Sequence, residues 1–402
     1  MKTLHITASY KPAYIYGGPI ASVSVLCECL TRVQSRKLKA ESEKLDLEVF
    51  TTNANGKSEL DVETGKPIIM DNVPVTYFKR WTRDHSHFSP ALLLHLNKVL
   101  RQAQHDNDNL LIHIHAWWNL VSVLSCLVAK WHKVPVVLSP RGMLTSYTQS
   151  NRNSFSKKII HWVIGHNLLK SVHIHATSEQ EKLEALKILK PKSISVIPNL
   201  VSLPGSENRV SGKEYEVDRG IFNLIFLSRI EEKKGLELLF DALSALKIDY
   251  RLTVAGSGNE DYVESLKRKA ESLKLSERIE WLGQISKQDK FELLAKHDLL
   301  VLTSYNENFA NVVIESLSVG TPVLVSKHVG LADYVKNNDL GWVCSLEPED
   351  IANKIRVVCE DTLKRETIRR NAPTLISNNF NDEVLVGRYL ELYDNVLQLH
   401  SK

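Results

Sequence analysis

The chain has 402 residues, 43% hydrophobic and 24% charged, which is enough for two domains of ordinary size and typical of a globular protein. No apolar run reaches the ~18–20 residues that a membrane span requires, and the start, Met1 to Tyr10, lacks the apolar core of a signal peptide. Cysteines 27, 29, 126, 344 and 359 are scattered with no CxxC pair, so a disulfide framework or zinc site is not expected and a cytoplasmic setting is.

The net charge of +4 hides an asymmetry: residues 1–200 hold 25 Lys/Arg against 15 Asp/Glu, and residues 201–402 hold 26 against 32. Two halves of opposite sign imply different partners. No nucleic-acid motif or aromatic-interleaved basic stripe is present, so the basic half is expected to meet a phosphorylated acceptor or an anionic membrane, not nucleic acid.

In chain order, Leu4–Ala8 reads as a strand, followed by a glycine loop (Gly17-Gly18-Pro19) and an amphipathic helix through about Arg32. Glycines after a first strand let backbone approach a ligand closely, but this is not GxGxxG and no acidic residue is placed for a dinucleotide ribose. Strands follow at Leu45–Thr52 and Val73–Phe78, flanking a polar stretch (53–72) with a hairpin expected about Thr64–Pro67. Lys79-Arg-Trp-Thr-Arg-Asp-His85 mixes cations with an aromatic ring, as either an acceptor contact or a solvated loop, before a helix from about Ser89 to Gln104.

Asn109–His115 is a strand in which His113 and His115 share one face. His113 reads as a core residue, and His115, at the carboxyl end, as the functional candidate. Val134–Ser139 runs into Pro140-Arg141-Gly142. A guanidinium is always charged and favours phosphate or carboxylate, so Arg141 is expected to bind donor phosphate or an anionic acceptor, with a structural ion pair as the alternative. Residues 152–170 combine Arg152, Lys157, Lys158 and Lys170 with Trp162 and many aliphatics, a buried helix or one resting on a bilayer. Ser171–Ala176 and Ile194–Ile197 are strands, the second ending at Pro198-Asn199, where a hinge is expected.

Residues 202–219 are polar and turn-rich, as a linker should be. Strand and helix then alternate again, marking a second doubly wound domain. Its first strand, Phe222–Ser228, leads into Arg229-Ile-Glu-Glu-Lys-Lys234-Gly235. Two cations at a strand end suit a diphosphate, one as a forked donor and one as a point charge, although a solvated turn has the same composition. A strand precedes Gly256-Ser-Gly258, and another ends at Gly283-Gln284. Asp298–Thr303 is a buried strand feeding Ser304-Tyr-Asn-Glu307-Asn308-Phe309-Ala310-Asn311-Val312-Val-Ile-Glu315 and a helix stopped by Gly320-Thr-Pro322. Amides at such a helix start suit phosphate oxygens, and carboxylates on either side suit hydroxyls. That combination describes a sugar nucleotide. His328 and Gly330, after the strand Pro322–Ser326, are expected near the same edge.

The Glu307-x7-Glu315 spacing, Ser-Tyr-Asn-Glu-Asn-Phe and the Glu-Ser-Leu-Ser-Val-Gly-Thr-Pro-Val tail resemble the E-x7-E motif of retaining glycosyltransferases of family GT4. The resemblance implies an α/β GT-B fold of two Rossmann-like doubly wound domains facing across a cleft. Residues 1–201 would form an acceptor domain and 202–379 a nucleotide-sugar domain, with the last helix (380–402) packing back on the first. It implies Glu315 on the ribose, Glu307 on the transferred sugar, and Arg229 and Lys234 on the diphosphate, so that Glu307, Arg229 and Lys234 are the catalytic set. Gly17 and Gly18 would face the donor phosphates. Asn308, Phe309, Ala310, Asn311 and Val312 would line the donor, and Gly283 would meet the base. His115 matches the second histidine of the family's His-x-His strand, and Arg141 stands where many relatives carry histidine. Ala310 stands where many carry glycine, which requires φ below zero there.

The activity implied is transfer of a sugar from a nucleotide diphosphate, UDP expected over GDP, to a lipid-linked or cell-surface glycan acceptor. No metal or other cofactor is expected, and the setting is cytoplasmic, peripheral on the inner face of the membrane. Two alternatives are a sugar-nucleotide epimerase on the same scaffold and a non-catalytic sugar-nucleotide-binding subunit of a glycan assembly complex.

Overall fold

The computed structural model describes residues 1–37, 46–106, 109–145, 165–204, 220–286 and 289–401. The basic stretch expected at 152–170 lies outside them as far as residue 164, and the linker outside them from 205 to 219. The chain divides into two compact units, Met1–Leu200 with Asp382–Lys402, and Val201–Asn381.

The first unit is built on β1 (Lys2–Thr7), β2 (Asp46–Thr52), a two-strand hairpin of β3 (Ala54–Asn55) and β4 (Ser58–Glu59), β5 (Pro67–Met70), β6 (Val73–Phe78), β7 (Leu110–His115), β8 (Val136–Ser139), β9 (His173–Ala176) and β10 (Ser193–Val196). The main sheet runs β10-β9-β8-β7-β1-β2-β6-β5, with β5 antiparallel to β6 and the other pairs parallel. Helices cover it and bury strands such as β7 at every residue. Leu92, Leu96 and Leu100 form the buried stripe of the helix Pro90–His105, whose start Ser89 caps by accepting from the Leu92 amide. Asn119 likewise caps Leu120–Trp131, accepting from Ser122 N at 2.8 Å.

The expected hairpin about Thr64–Pro67 is not where the chain turns. The reversal between β5 and β6 falls on Asp71-Asn72, with φ of 47° and 66°. Left-handed backbone at both central residues is the I′ geometry that matches strand twist, and short polar side chains tolerate it. Gly65 instead donates its amide to Tyr77 O at 2.7 Å.

The second unit has β11 (Phe222–Leu227), β12 (Tyr250–Ala255), β13 (Ile279–Gly283), β14 (Leu299–Leu302), β15 (Val323–Ser326) and β16 (Gly341–Cys344) in the all-parallel order β13-β12-β11-β14-β15-β16. In each unit the strand order reverses once near the middle, at β11/β14 and at β1/β7. Loops leaving the carboxyl ends of such neighbours diverge and leave room for a ligand. Among the described residues no helix is long and apolar enough to cross a membrane.

Candidate active site

At the β11/β14 reversal the two outgoing loops are fastened together. Gly235 has φ of +67°, and a Cβ there would lie 2.1 Å from Thr303 O, so only glycine lets the loops lie this close. Thr303 Oγ1 donates to Gly235 O at 2.8 Å, and Tyr305 N donates to Lys233 O at 2.9 Å. This places Lys234, only 7% exposed, with its ammonium against the Glu307 carboxylate. Burial pulls the Lys234 pKa down, while Glu307 opposes the shift and the nearby Arg229 charge adds to it. Glu307 is held from the other side, its amide donating to His328 O at 3.1 Å and its carbonyl accepting from Gly330 N at 2.7 Å. The loop carrying His328 and Gly330 therefore acts through its backbone, positioning Glu307. Arg229 pairs with Glu231 at 2.6 Å and keeps a partly exposed guanidinium.

The helix Asn311–Ser318 starts at this point, its first amides directed out of its N-terminus. Phe309 is buried, in edge contact with Phe380 at 6.3 Å between centroids. The expectation for Ala310 is overturned: its φ is +68°, left-handed despite the methyl group. The turn into the helix demands that conformation, and surrounding contacts hold alanine in it against a cost of about 1–2 kcal/mol. Val312 follows at the second helical position, and Glu315 sits one turn in. Glu315 is paired through Oε1 with Lys290 Nζ at 2.6 Å, with both side chains largely buried. Lys290 was not apparent from sequence, because its helix (Asp289–Ala295) carries no motif pointing to Glu315. Gly283, at the end of β13, has φ of +67° with open space where a Cβ would sit, and its carbonyl accepts from Gly256 N at 2.7 Å.

In the first unit, Gly17 (φ 71°) and Gly18 open the helix Gly18–Lys37. Ser22 of that helix accepts from Arg141 Nη1 at 2.7 Å, and the same nitrogen reaches Asn199 Oδ1 at 3.2 Å. Arg141 Nη2 lies 3.3 Å from His115 Nδ1. The guanidinium can only donate, so His115 accepts at Nδ1 and donates from Nε2 to His5 Nδ1 at 3.0 Å. Both His115 nitrogens are thus engaged in a ring only 1% exposed. His115 orients Arg141, and as placed it offers no nitrogen to a ligand, contrary to the direct contact expected of it.

A second chain of bonds runs behind it. Ile197 O can only accept, so His175 donates from Nε2 at 2.8 Å. Ser139 then donates to His175 Nδ1 at 2.6 Å, His113 Nε2 donates to Ser139 at 2.7 Å, and Tyr393 donates to His113 Nδ1 at 2.7 Å. Burial keeps these rings neutral, with His5 and His175 pushed down to about 3 and His113 and His115 held well below the ordinary range. His5, His113 and His115 bring ring nitrogens within 4.8 Å of one another, a set able in principle to hold a metal ion. Their lone pairs are instead directed at neighbouring donors, and the adjacent Arg141 cation opposes a second positive charge. Tyr389 joins them, its hydroxyl 3.2 Å from His175 Nε2, and the group works as a hydrogen-bond network tying strands β1, β7, β8 and β9 to the helix Asp382–Ser401.

Two doubly wound α/β units, one with an all-parallel sheet and one parallel except at β5, are the architecture of the GT-B fold. Comparison with known proteins agrees. Residues 35–203 match the family model described as Glycosyltransferase Family 4, and residues 213–375 match Glycosyl transferases group 1. The two models between them take in both units, and the chain is a glycosyltransferase of this kind.

An uncharacterized glycosyltransferase of Methanocaldococcus jannaschii is 28% identical over 183 residues, 44% of this chain and 46% of that protein, so the chain matches less than half of that relative. N-acetyl-alpha-D-glucosaminyl L-malate synthase of Bacillus anthracis is 24% identical over 352 residues, 84% of this chain and 89% of its own. Among solved structures, HepE of Anabaena in complex with UDP superposes with a TM-score of 0.72 at 20% identity, covering 98% of this chain and 100% of that one, which speaks to fold alone.

Proposed function

We propose that this glycosyltransferase moves a sugar, with retention, from a nucleotide diphosphate sugar held in the second unit to an anionic acceptor approached by the first, a lipid-linked or cell-surface glycan intermediate. The observation that carries this reading is the fastening of Lys234 to Glu307 at the start of the helix Asn311–Ser318, with Glu315 one turn further on. Diphosphate oxygens would take the helix amides, Lys234 and Arg229. Glu307 would accept from hydroxyls of the transferred sugar, and Glu315 from the ribose. Gly283 would lie by the base, and UDP is favoured because HepE was solved with it.

In the reaction, the bond from the anomeric carbon to the β-phosphate oxygen breaks and a bond to the acceptor oxygen forms on the same face. The acceptor proton passes to the departing phosphate. Arg229, Lys234 and the amides stabilise the charge that grows on that phosphate. With those groups in place the chemistry does not require a metal. The cation excess of residues 1–200 favours an anionic acceptor or membrane surface, and malate, named for the Bacillus anthracis relative, is an anion.

Thermal shift with UDP- and GDP-sugars tests donor binding, since a ligand at 100 times its dissociation constant adds ~2.7 kcal/mol of stability. Acceptor-dependent release of nucleotide then separates transfer from epimerisation and from idle binding. Absence of any nucleotide-sugar shift would defeat the assignment.

A further inference from the structure

A second set of polar groups lies in the first unit, at the carboxyl ends of β1, β2 and β6. Arg80 follows β6 and is only 2% exposed. Its backbone amide donates to Asn53 Oδ1 at 3.1 Å, and its Nη2 donates to Gly56 O at 3.0 Å and Ser58 O at 2.6 Å, clasping the β3–β4 hairpin. Its Nε and Nη1 are buried without a partner, and among the described residues no carboxylate pairs with it. His87, 6% exposed, lies within the influence of this charge and also has a buried Nδ1 with no partner. It is held in a left-handed conformation (φ 50°) with its ring 5.6 Å from that of Tyr16, whose hydroxyl accepts from Gly56 N at 2.9 Å.

A buried guanidinium without a counter-ion is costly, and a structural clasp needs only the Nη2 contacts. Two unused donors beside an unused imidazole nitrogen are what an oxyanion satisfies. The site also has an exposed apolar rim: Trp81 is 72%, Ile15 62% and Tyr14 44% exposed. Flat and aliphatic surface of that kind packs against sugar rings. The position is the ligand-binding edge of a parallel sheet, on the unit that does not carry the Lys234–Glu307 pair.

We propose that Arg80 and His87 form a binding site for an oxyanion, a phosphate ester or a carboxylate borne by the acceptor, with Trp81 at its mouth receiving the adjoining sugar. Calling the guest an acceptor rests on the proposed glycosyl transfer. The oxyanion site itself does not.

The test is site-specific. The His87 ring is assigned in a proton–carbon spectrum by its loss in His87→Asn, a change that tolerates the left-handed backbone. It is then followed at about pH 7.5, above the range in which acid weakens the first unit, with UDP present so that phosphate has no access to the second unit. Without anion, burial and Arg80 hold His87 down to about 4, with Asp84 and His85 as its other charged neighbours. Inorganic phosphate or glucuronate bound beside it moves the His87 ring resonances saturably as the anion is added, while glucose does nothing. Arg80→Lys weakens the anion at least about tenfold. Should that variant fail to fold, the wild-type titration stands by itself.

A response to phosphate alone identifies a phosphorylated acceptor, and a response to glucuronate alone a carboxylated sugar. His87 resonances unmoved by both anions at tens of millimolar overturn the proposal. The shift in melting temperature produced by UDP is read in parallel, so loss of the oxyanion site and loss of the nucleotide site are separate results.

Discussion

Mild acid should unfasten the first unit. His5, His113, His115 and His175 are all buried and neutral, the first and last pushed down to about 3 and the middle two well below the ordinary range. In the unfolded chain each titrates near 6.5. Because the folded values are the lower ones, the unfolded chain takes up protons first. The network's contribution is therefore complete above about pH 6.5 and is lost as pH falls from there toward about 3. Between about pH 7.5 and 5.5 each ring gives up roughly 1 kcal/mol, and the four together on the order of 5 kcal/mol. That is comparable to the ~5–15 kcal/mol that holds a whole domain together.

Urea unfolding followed by tryptophan fluorescence should show stability falling ever more steeply as pH drops, the four rings contributing about two protons to the slope averaged over this range. His5→Leu, which removes one titrating ring together with a buried Nε2 that has no partner, should lower that average slope by about half a proton. A slope below one proton, or one unaltered in His5→Leu, would refute the reasoning.

Three further outcomes concern the second unit. Lys234→Ala should abolish the nucleotide-dependent rise in melting temperature, because it deletes the cation proposed to hold the diphosphate and leaves Glu307 without its partner; an unchanged rise would remove Lys234 from the site. Ala310→Gly should raise stability by about 0.5–1 kcal/mol by relieving left-handed strain, net of the glycine entropy cost, as read from the urea midpoint. Lys290→Met should leave the fold intact but cost about tenfold in KM for the donor, because Glu315 loses the cation that orients it. Discrimination between UDP and its 2′-deoxy form should fall with it, and Lys290→Arg should restore both. Equal KM values in wild type and Lys290→Met would exclude that role.

What the sequence could convey followed the range of each interaction. Parallel strands are legible because burial on both faces produces short unbroken apolar runs such as Leu299–Leu302. Arg229, Lys234, Glu307 and Glu315 stand out in the sequence because each lies in the loop or helix that follows a buried strand, and the structure sets Lys234 against Glu307 with Glu315 one turn into the helix. Lys290 is not, being 25 positions from its partner on a helix with its own amphipathic logic. The histidine network is half legible: alternation puts His113 and His115 on one face, but nothing local to them points to Tyr389 and Tyr393, far along the chain. His115 was read as facing a ligand because it ends its strand, whereas Arg141 takes the outer position and uses it as support. The φ of Ala310 depends on how the loop is held, and residue identity alone favoured the opposite sign.

The helix Asp382–Ser401 belongs to the unit that begins at Met1. During synthesis the first 200 residues would emerge with their histidines uncovered, since Tyr389 and Tyr393 are made only after the second unit. The first unit can therefore mature only after the second has been translated, and deleting the helix Asp382–Ser401 would injure the half farthest from it in sequence.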